Sequence, residues 1–215
     1  MEAPRMTDIR LIVICDPSGM GPTALQAVLA AEAGGATLLQ LRMKNSAAAD
    51  QVRWAERLIS RVRIPVWIND RADVALAAGA AGVHLGQDDL PPARLRGIAP
   101  PPFGVGVSVG NDAEAAAVAD VAIDYWSIGS IYATPSKADA GEPIGTDGLS
   151  HLVRRAPRAM PIVAIGGITA ERVTDVCAAG ADGVAVISAV FGAPDPERAA
   201  RRLRDAVDAA TGGRS

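Results

Sequence analysis

Gln40, Arg42 and Lys44 alternate along the end of an apolar run, within the stretch Gln40-Leu41-Arg42-Met43-Lys44. If that run is a strand, alternation sends the three to one side, and a guanidinium beside an ammonium suits a multiply charged phosphate group. A solvated basic rim, or salt bridges to neighbouring helices, is the alternative. It is weakened by the Gln beside them, which is costly to point inward without a partner. Two further runs end in acid, Asn69-Asp70-Arg71 and Gly86-Gln87-Asp88-Asp89. Asp70 and Asp89 at one rim, facing the Arg and Lys, make an expected Mg²⁺ site, since Mg²⁺ takes one or two carboxylates and completes its octahedron with water and substrate phosphates. Either Asp could instead cap a helix. Asp88 reads as structural.

A second group of residues suits an anion held by backbone amides. Pro161–Ile165 is a short apolar run ending at Gly166-Gly167, and Val184–Ile187 is another, ending at Ser188. Strand ends of this kind can wrap a phosphate in N–H groups close to a helix N-terminus. Glycines that merely permit tight turns are the plainer reading. Ser108 places a hydroxyl after Gly106-Val107, and Thr134-Pro135-Ser136-Lys137 opens a Gly/Pro-rich loop that reads as a phosphate-gripping lid. Asn111 with Glu114 has the form of a capping pair. His84, inside a strand, reads as a packed and hydrogen-bonded residue, and His151 lies on a helix away from the rim. Neither Cys15 nor Cys177 has a neighbouring His, so nucleophilic catalysis has little support.

The elements that must position these residues recur along the chain. Strands are expected at Ile9–Cys15, Thr37–Leu41, Pro65–Ile68, Val83–Leu85, Gly104–Val107, Tyr125–Ile128, Ile162–Ile165 and Val184–Ile187. Ala-rich helical segments lie between them, around Thr23–Ala33, Ala47–Arg61, Ala72–Ala78, Ala93–Ile98, Ala113–Asp120, Gly148–Arg155 and Ala170–Ala179. A last helix over Pro196–Ala210 has Asp195 as its N-cap and Pro196 at its first position. The segments beginning Ala33-Gly34-Gly35, Ala78-Gly79 and Ala179-Gly180 share one logic, in which a helix ends on glycine and a buried strand begins. Eight such units predict an α/β fold, a (β/α)8 TIM barrel in a single domain over residues 9–210, with tails at 1–8 and 211–215. No GxGxxG follows the first strand, against a doubly wound sheet.

Composition agrees. Hydrophobic residues make up 49% and aromatics 3%, so the core must be built from Ala, Val, Ile and Leu; Trp54, Trp67 and Trp126 are expected to pack. The net charge of −3 and the lack of a basic tract argue against a nucleic-acid partner. Leu11–Cys15 is too short to span a membrane and the N-terminal stretch lacks an apolar signal core, so a cytoplasmic location is expected. The two cysteines are in no metal-like spacing and read as buried thiols.

The Gln-Leu-Arg-Met-Lys run, the triplet at 69–71, Gly82–Asp89, Gly106–Ser108, Thr134–Lys137, Val163–Ile168 and Gly183–Ser188, in this order and spacing, resemble the thiamine phosphate synthase family over about Ile9 to Val190. The resemblance implies condensation of hydroxymethylpyrimidine pyrophosphate with hydroxyethylthiazole phosphate, or its carboxylated form, giving thiamine phosphate and pyrophosphate. It implies that Gln40, Leu41, Arg42, Met43, Lys44, Asn69, Ser108 and Lys137 bind the pyrimidine pyrophosphate, with Arg42, Lys44 and Lys137 as the catalytic cations. Thr134, Pro135, Ser136, Gly167, Ile187 and Ser188 would hold the thiazole phosphate, and Asp70 and Asp89 the Mg²⁺. Met43 stands where the family usually has an acidic residue and Ser136 where Thr is usual, and neither removes a ligand. A thiazole tautomerase of the same fold is the nearest alternative, but would not need the carboxylate pair or the full basic cluster. A non-catalytic phosphate-ligand sensor is another, with no effector region to mark it. The partners are then two small molecules; a homo-oligomer is compatible with the sequence and not specified by it.

Overall fold

The computed structural model describes residues 8–134 and 142–212. Eight parallel strands close into a barrel in chain order: β1 Leu11–Cys15, β2 Leu38–Leu41, β3 Val66–Asn69, β4 Gly82–Leu85, β5 Gly104–Val109, β6 Tyr125–Ile128, β7 Ile162–Ile165 and β8 Gly183–Val186. The ring shuts where β8 pairs with β1, Leu11 beside Val184 and Val13 beside Val186. Helices alternate with the strands. They are α1 Pro17–Met20, α2 Ala24–Ala33, α3 Ala48–Ile59, α4 Ala72–Ala77, α5 Pro92–Arg96, α6 Asp112–Val118, α7 Gly145–Val153, α8 Val173–Ala178, α9 Ser188–Phe191 and α10 Pro196–Thr211. None is long and apolar enough to cross a membrane.

Two periodicities divide the apolar residues. One side of each strand (Leu11, Val13, Leu39, Leu41, Ile68, Val83, Leu85, Val105, Val107) joins the layer between barrel and helices. Helices answer with spaced residues such as Ala55 and Leu58 of α3 and Ala200, Leu203 and Val207 of α10. The other side fills the barrel interior with Ile12, Ile14, Leu38, Trp67, Tyr125, Val163 and Ala185. Trp67 lies across glycines of the next two strands: a Cβ on Gly104 would stand 2.1 Å from its ring and one on Gly82 2.6 Å. Tyr125 covers Gly106 in the same way, at 2.4 Å. Two aromatics with ring centres 5.4 Å apart thus form the dry floor, and glycine on the facing strands makes room for them. Trp126 faces the helix layer, and Trp54 packs against the same layer with Arg57 over its ring.

Several boundaries differ from the sequence expectation for local reasons. β1 starts at Leu11 rather than Ile9; just before it the Arg10 side chain is tied to Asp8 and Asp208, while its carbonyl accepts the Val184 N–H of β8. β5 runs on to Val109, since Ser108 and Val109 pair with Ser127 and Ile128. β8 stops at Val186, where Ile187 (φ −114°, ψ −83°) turns the chain into α9. α7 begins at Gly145 rather than Gly148, and α8 is preceded by a 3₁₀ turn over Ala170–Arg172. α1 and α9 are additions of four residues each, too short to show a period; α1 carries the same Asp-Pro start, Asp16-Pro17, that marks α10.

The helix-to-strand turns use glycine as expected, with one correction. Gly35, Gly79 and Gly180 take positive φ of 102°, 66° and 116°, the left-handed conformation that glycine adopts without steric cost. Gly34 does not: it is right-handed, and its hydrogen faces α10, where a Cβ would lie 2.3 Å from the Glu197 carbonyl oxygen. Its glycine serves helix packing rather than the turn.

Candidate active site

The strand carboxyl ends surround a cavity of about 600 Å³, in the size range of small-molecule sites. On one wall stand Arg42 and Lys44 after β2, Asn69 and Asp70 at the end of β3, and Asp89 beyond β4. Asp70 sits at φ 66°, its N–H donating to the His84 carbonyl at 2.8 Å. Asp is among the few side chains that tolerate this left-handed position. The turn delivers its carboxyl to a hydrogen bond with Asp89, and burial first, then the Asp89 charge, push Asp70 up to about 6. Lys44 and Arg42 oppose that shift. Asp89 also accepts the Gly86 N–H at 2.7 Å, which holds its loop. Neither carboxylate caps a helix: α4 starts on Arg71 and α5 on Pro91, both without side-chain caps.

Gln40 lies one level below, 2% exposed, and donates through Nε2 to Asn69 Oδ1 at 3.1 Å. It supports Asn69 from beneath the cavity. The backbone of Arg42 still pairs with β1, its N–H donating to the Cys15 carbonyl. Its Nε is buried and has no partner among the described residues, an unusual state for a guanidinium nitrogen. Leu41 and Met43 alternate to the other side and are buried in the helix layer. Their side chains do not line the cavity, and Met43, which stands in place of an acidic residue, packs in the core.

The opposite wall is built from backbone. Gly166 and Gly167 take φ of 102° and 62° after β7; Cβ atoms there would meet Ser130 Oγ at 2.1 Å and the Ala133 carbonyl oxygen at 2.7 Å. Tyr132 N–H donates to the Gly166 carbonyl at 3.0 Å, strapping the chain after β6 onto β7. Thr134, Gly167, Ile187 and Ser188 all line this wall, and Ser188 opens α9, whose first amides lack intrahelical acceptors. Ser108 lines the floor. Pro135, Ser136 and Lys137 lie outside the described residues. The loop they begin is anchored at its far end, where Ile144 and Gly145 N–H groups donate to the Ser130 and Ile131 carbonyls.

Three features were not read from the sequence. Arg172 lines the cavity beside Gly167, donating to the Gly167 carbonyl at 2.6 Å with its guanidinium 4.3 Å from the Tyr132 ring centre. A basic residue one turn beyond a Gly-Gly strand end was the available signal. Glu114 does pair with its cap Asn111. It also accepts from Gly110 N–H and Gln87 Nε2, tying the β4 and β5 loops together. His84 is packed as expected, between Tyr125 and Ser108, and also shows one edge to the cavity. His151 is on α7, paired with Asp112 and away from the site. Burial pushes the Cys15 thiol up to about 12, with Asp16 adding to it, so no thiolate is available there.

A parallel barrel with cations and paired carboxylates on one side of its mouth, and a glycine-backed amide wall on the other, defines an enzyme of the phosphate-handling (β/α)8 class. Comparison with known proteins narrows the class. A family model described as thiamine monophosphate synthase matches residues 11–190. The thiamine-phosphate synthase of Xanthobacter autotrophicus is 46% identical over 211 residues, covering 96% of this chain and 99% of that protein. That of Moorella thermoacetica is 46% identical over 204 residues, covering 94% and 96%. Among solved structures, the thiamine phosphate pyrophosphorylase from Pyrococcus furiosus superposes with a TM-score of 0.85 at 36% identity, covering 95% of this chain and 98% of that one. The chain belongs to the thiamine monophosphate synthase family.

Proposed function

We propose that the barrel over residues 9–210 condenses hydroxymethylpyrimidine pyrophosphate with hydroxyethylthiazole phosphate, or its carboxylated form, to thiamine phosphate. The observation that supports this reading is that one cavity is lined both by Arg42 and Lys44 with Asp70 and Asp89 and, from the far side of the barrel, by Gly167, Ile187 and Ser188. Two phosphorylated substrates held face to face need that arrangement, and an enzyme of one thiazole phosphate does not.

The chemistry asks for no enzymic nucleophile. The electron-rich pyrimidine loses pyrophosphate to leave a stabilised cation, and the thiazole nitrogen captures it. Arg42 and Lys44, joined by Lys137, neutralise charge developing on the leaving group. Gln40 holds Asn69, and Asn69 and Ser108 orient the pyrimidine. Thr134, Ser136, Gly167, Ile187 and Ser188 hold the thiazole phosphate so that its nitrogen meets the cation without diffusive search. Leu41 and Met43, whose side chains are buried in the helix layer, contribute through backbone alone.

Asp70 and Asp89 fit Mg²⁺: an all-oxygen pair, desolvated enough to raise a carboxyl to about 6 even against Lys44 and Arg42. A bound Mg²⁺ would neutralise pyrophosphate charge there. The test is product formation from both substrates, followed by chromatography, with and without EDTA and with Asp89→Ala. Thiamine phosphate that vanishes under either treatment supports enzyme and metal together. Isomerised thiazole without condensation would replace the synthase by a tautomerase.

A further inference from the structure

A hydrogen-bonded chain with one allowed direction runs under the cavity. The Tyr125 hydroxyl lies 3.0 Å from His84 Nδ1, and His84 Nε2 lies 3.0 Å from Ser108 Oγ. Tyr125 is 1% exposed, and His84 is its hydroxyl's only hydrogen-bond partner among the described residues. Burial, with some help from Asp124, pushes the phenol well above its ordinary value, so the hydroxyl keeps its proton. That proton has one acceptor, His84 Nδ1.

The rest follows from the inventory of donors. A neutral imidazole whose Nδ1 accepts carries its hydrogen on Nε2. Nε2–H then donates to Ser108 Oγ. The reverse wiring, with Nδ1–H donating to tyrosine, would leave the buried phenol proton with no acceptor, as would a doubly protonated ring. Ser108 therefore receives a hydrogen bond from below, and its own proton has no acceptor among the described residues. Ser108 lines the cavity.

We propose that Tyr125 and His84 are positioning residues that make Ser108 a directed hydrogen-bond donor to an acceptor atom of the pyrimidine substrate. The identity of the ligand rests on the function proposed above; the direction of the chain does not. An exocyclic amino group, a donor, is disfavoured at this spot, and a ring nitrogen or a phosphate oxygen is favoured. Three strands (β4, β5 and β6) set the polarity of one hydroxyl.

Long-range ¹H–¹⁵N correlation on labelled protein reads the tautomer directly. The chain has two histidines, and His151→Gln identifies the second signal. Wild-type protein is expected to show His84 with pyrrole-type Nε2 and pyridine-type Nδ1. Tyr125→Phe should abolish that preference and raise KM for the pyrimidine substrate about tenfold, the loss of one oriented hydrogen bond, with KM for thiazole phosphate unchanged. Ser108→Ala should raise the same KM while His84 keeps its tautomer, and Ser108→Thr should restore it. A wild-type His84 protonated on Nδ1 overturns the proposal, even if no variant folds. So does a Tyr125→Phe protein with unaltered tautomer and KM. If wild-type protein makes no thiamine phosphate yet shows the expected tautomer, the substrate reading fails and the wiring stands.

Discussion

The Asp70 carboxyl, on the turn after β3, stands close enough to Asp89, in the loop beyond β4, for the Asp89 charge to push it up. Two carboxyl groups this close, partly withdrawn from water, hold a proton that isolated aspartates would release. Their natural third member is a cation.

That pairing sets a pH dependence. The folded Asp70 carboxyl titrates near 6, above its ordinary 3.8, so the proton it retains favours the fold below that ordinary value. The benefit is lost as pH rises through 6. Without metal, thermal stability should decline over this window in wild-type protein and not in Asp70→Asn. Mg²⁺ competes with the proton, so the melting-temperature rise it causes should be large at pH 8 and shrink toward pH 5. A rise independent of pH would place the metal elsewhere.

Arg42 is held ready for an anion. Its buried Nε, without a partner among the described residues, costs stability in the free enzyme and gains a partner on binding. Arg42→Ala should lower kcat/KM for the pyrimidine pyrophosphate by about 10²–10³, the usual cost of removing a charge-stabilising donor. The melting temperature should stay level or rise. Arg42→Lys should recover only part of the activity, because an ammonium lacks the guanidinium fork. Steady-state kinetics and thermal scans together decide it.

Gly104 and Trp67 should be coupled. A methyl on Gly104 would overlap the indole at 2.1 Å, so Gly104→Ala should cost about 1–3 kcal/mol by overpacking. For a chain of this size that lowers the melting temperature by roughly 2–4 °C per kcal/mol. Combining Gly104→Ala with Trp67→Leu should cost less than the sum of the two single changes. Additive losses would show that the two do not touch in solution.

Gly167 should be selective for one substrate. At φ 62°, with a Cβ 2.7 Å from the Ala133 carbonyl oxygen, Gly167→Ala must move the amide wall. A rise in KM for thiazole phosphate of about 10- to 100-fold is expected, equal to roughly 1.4–2.7 kcal/mol, while KM for the pyrimidine substrate holds. Equal rises for both would mean that the two walls are not independent.

The barrel was legible because its units repeat: a glycine-ended helix followed by a four-residue apolar run leaves few alternatives. Strand alternation also placed Gln40, Arg42 and Lys44 on one side. It could not show that Gln40 stays beneath the cavity as support for Asn69, which depends on how deep in the barrel each residue sits. α1 and α9 escaped because one helical turn has no period to detect. Tyr125 escaped for a different reason. A tyrosine at the start of a strand has no local mark of function, and its partner His84 is 41 positions away. Gly34 reads like Gly79 in sequence, and only the approach of α10 separates a packing glycine from a turning one.

The seam between β1 and β8 bears on how the chain is made. Leu11 cannot acquire its Val184 partner, nor Gly34 its α10 neighbour, until nearly all of the described chain exists. Contacts so distant in sequence slow folding. Meanwhile an emerging chain carries β1 as an unpaired strand edge, the kind of surface that recruits other chains. Only when the segment through Val186 has left the ribosome can β1 cease to be an edge.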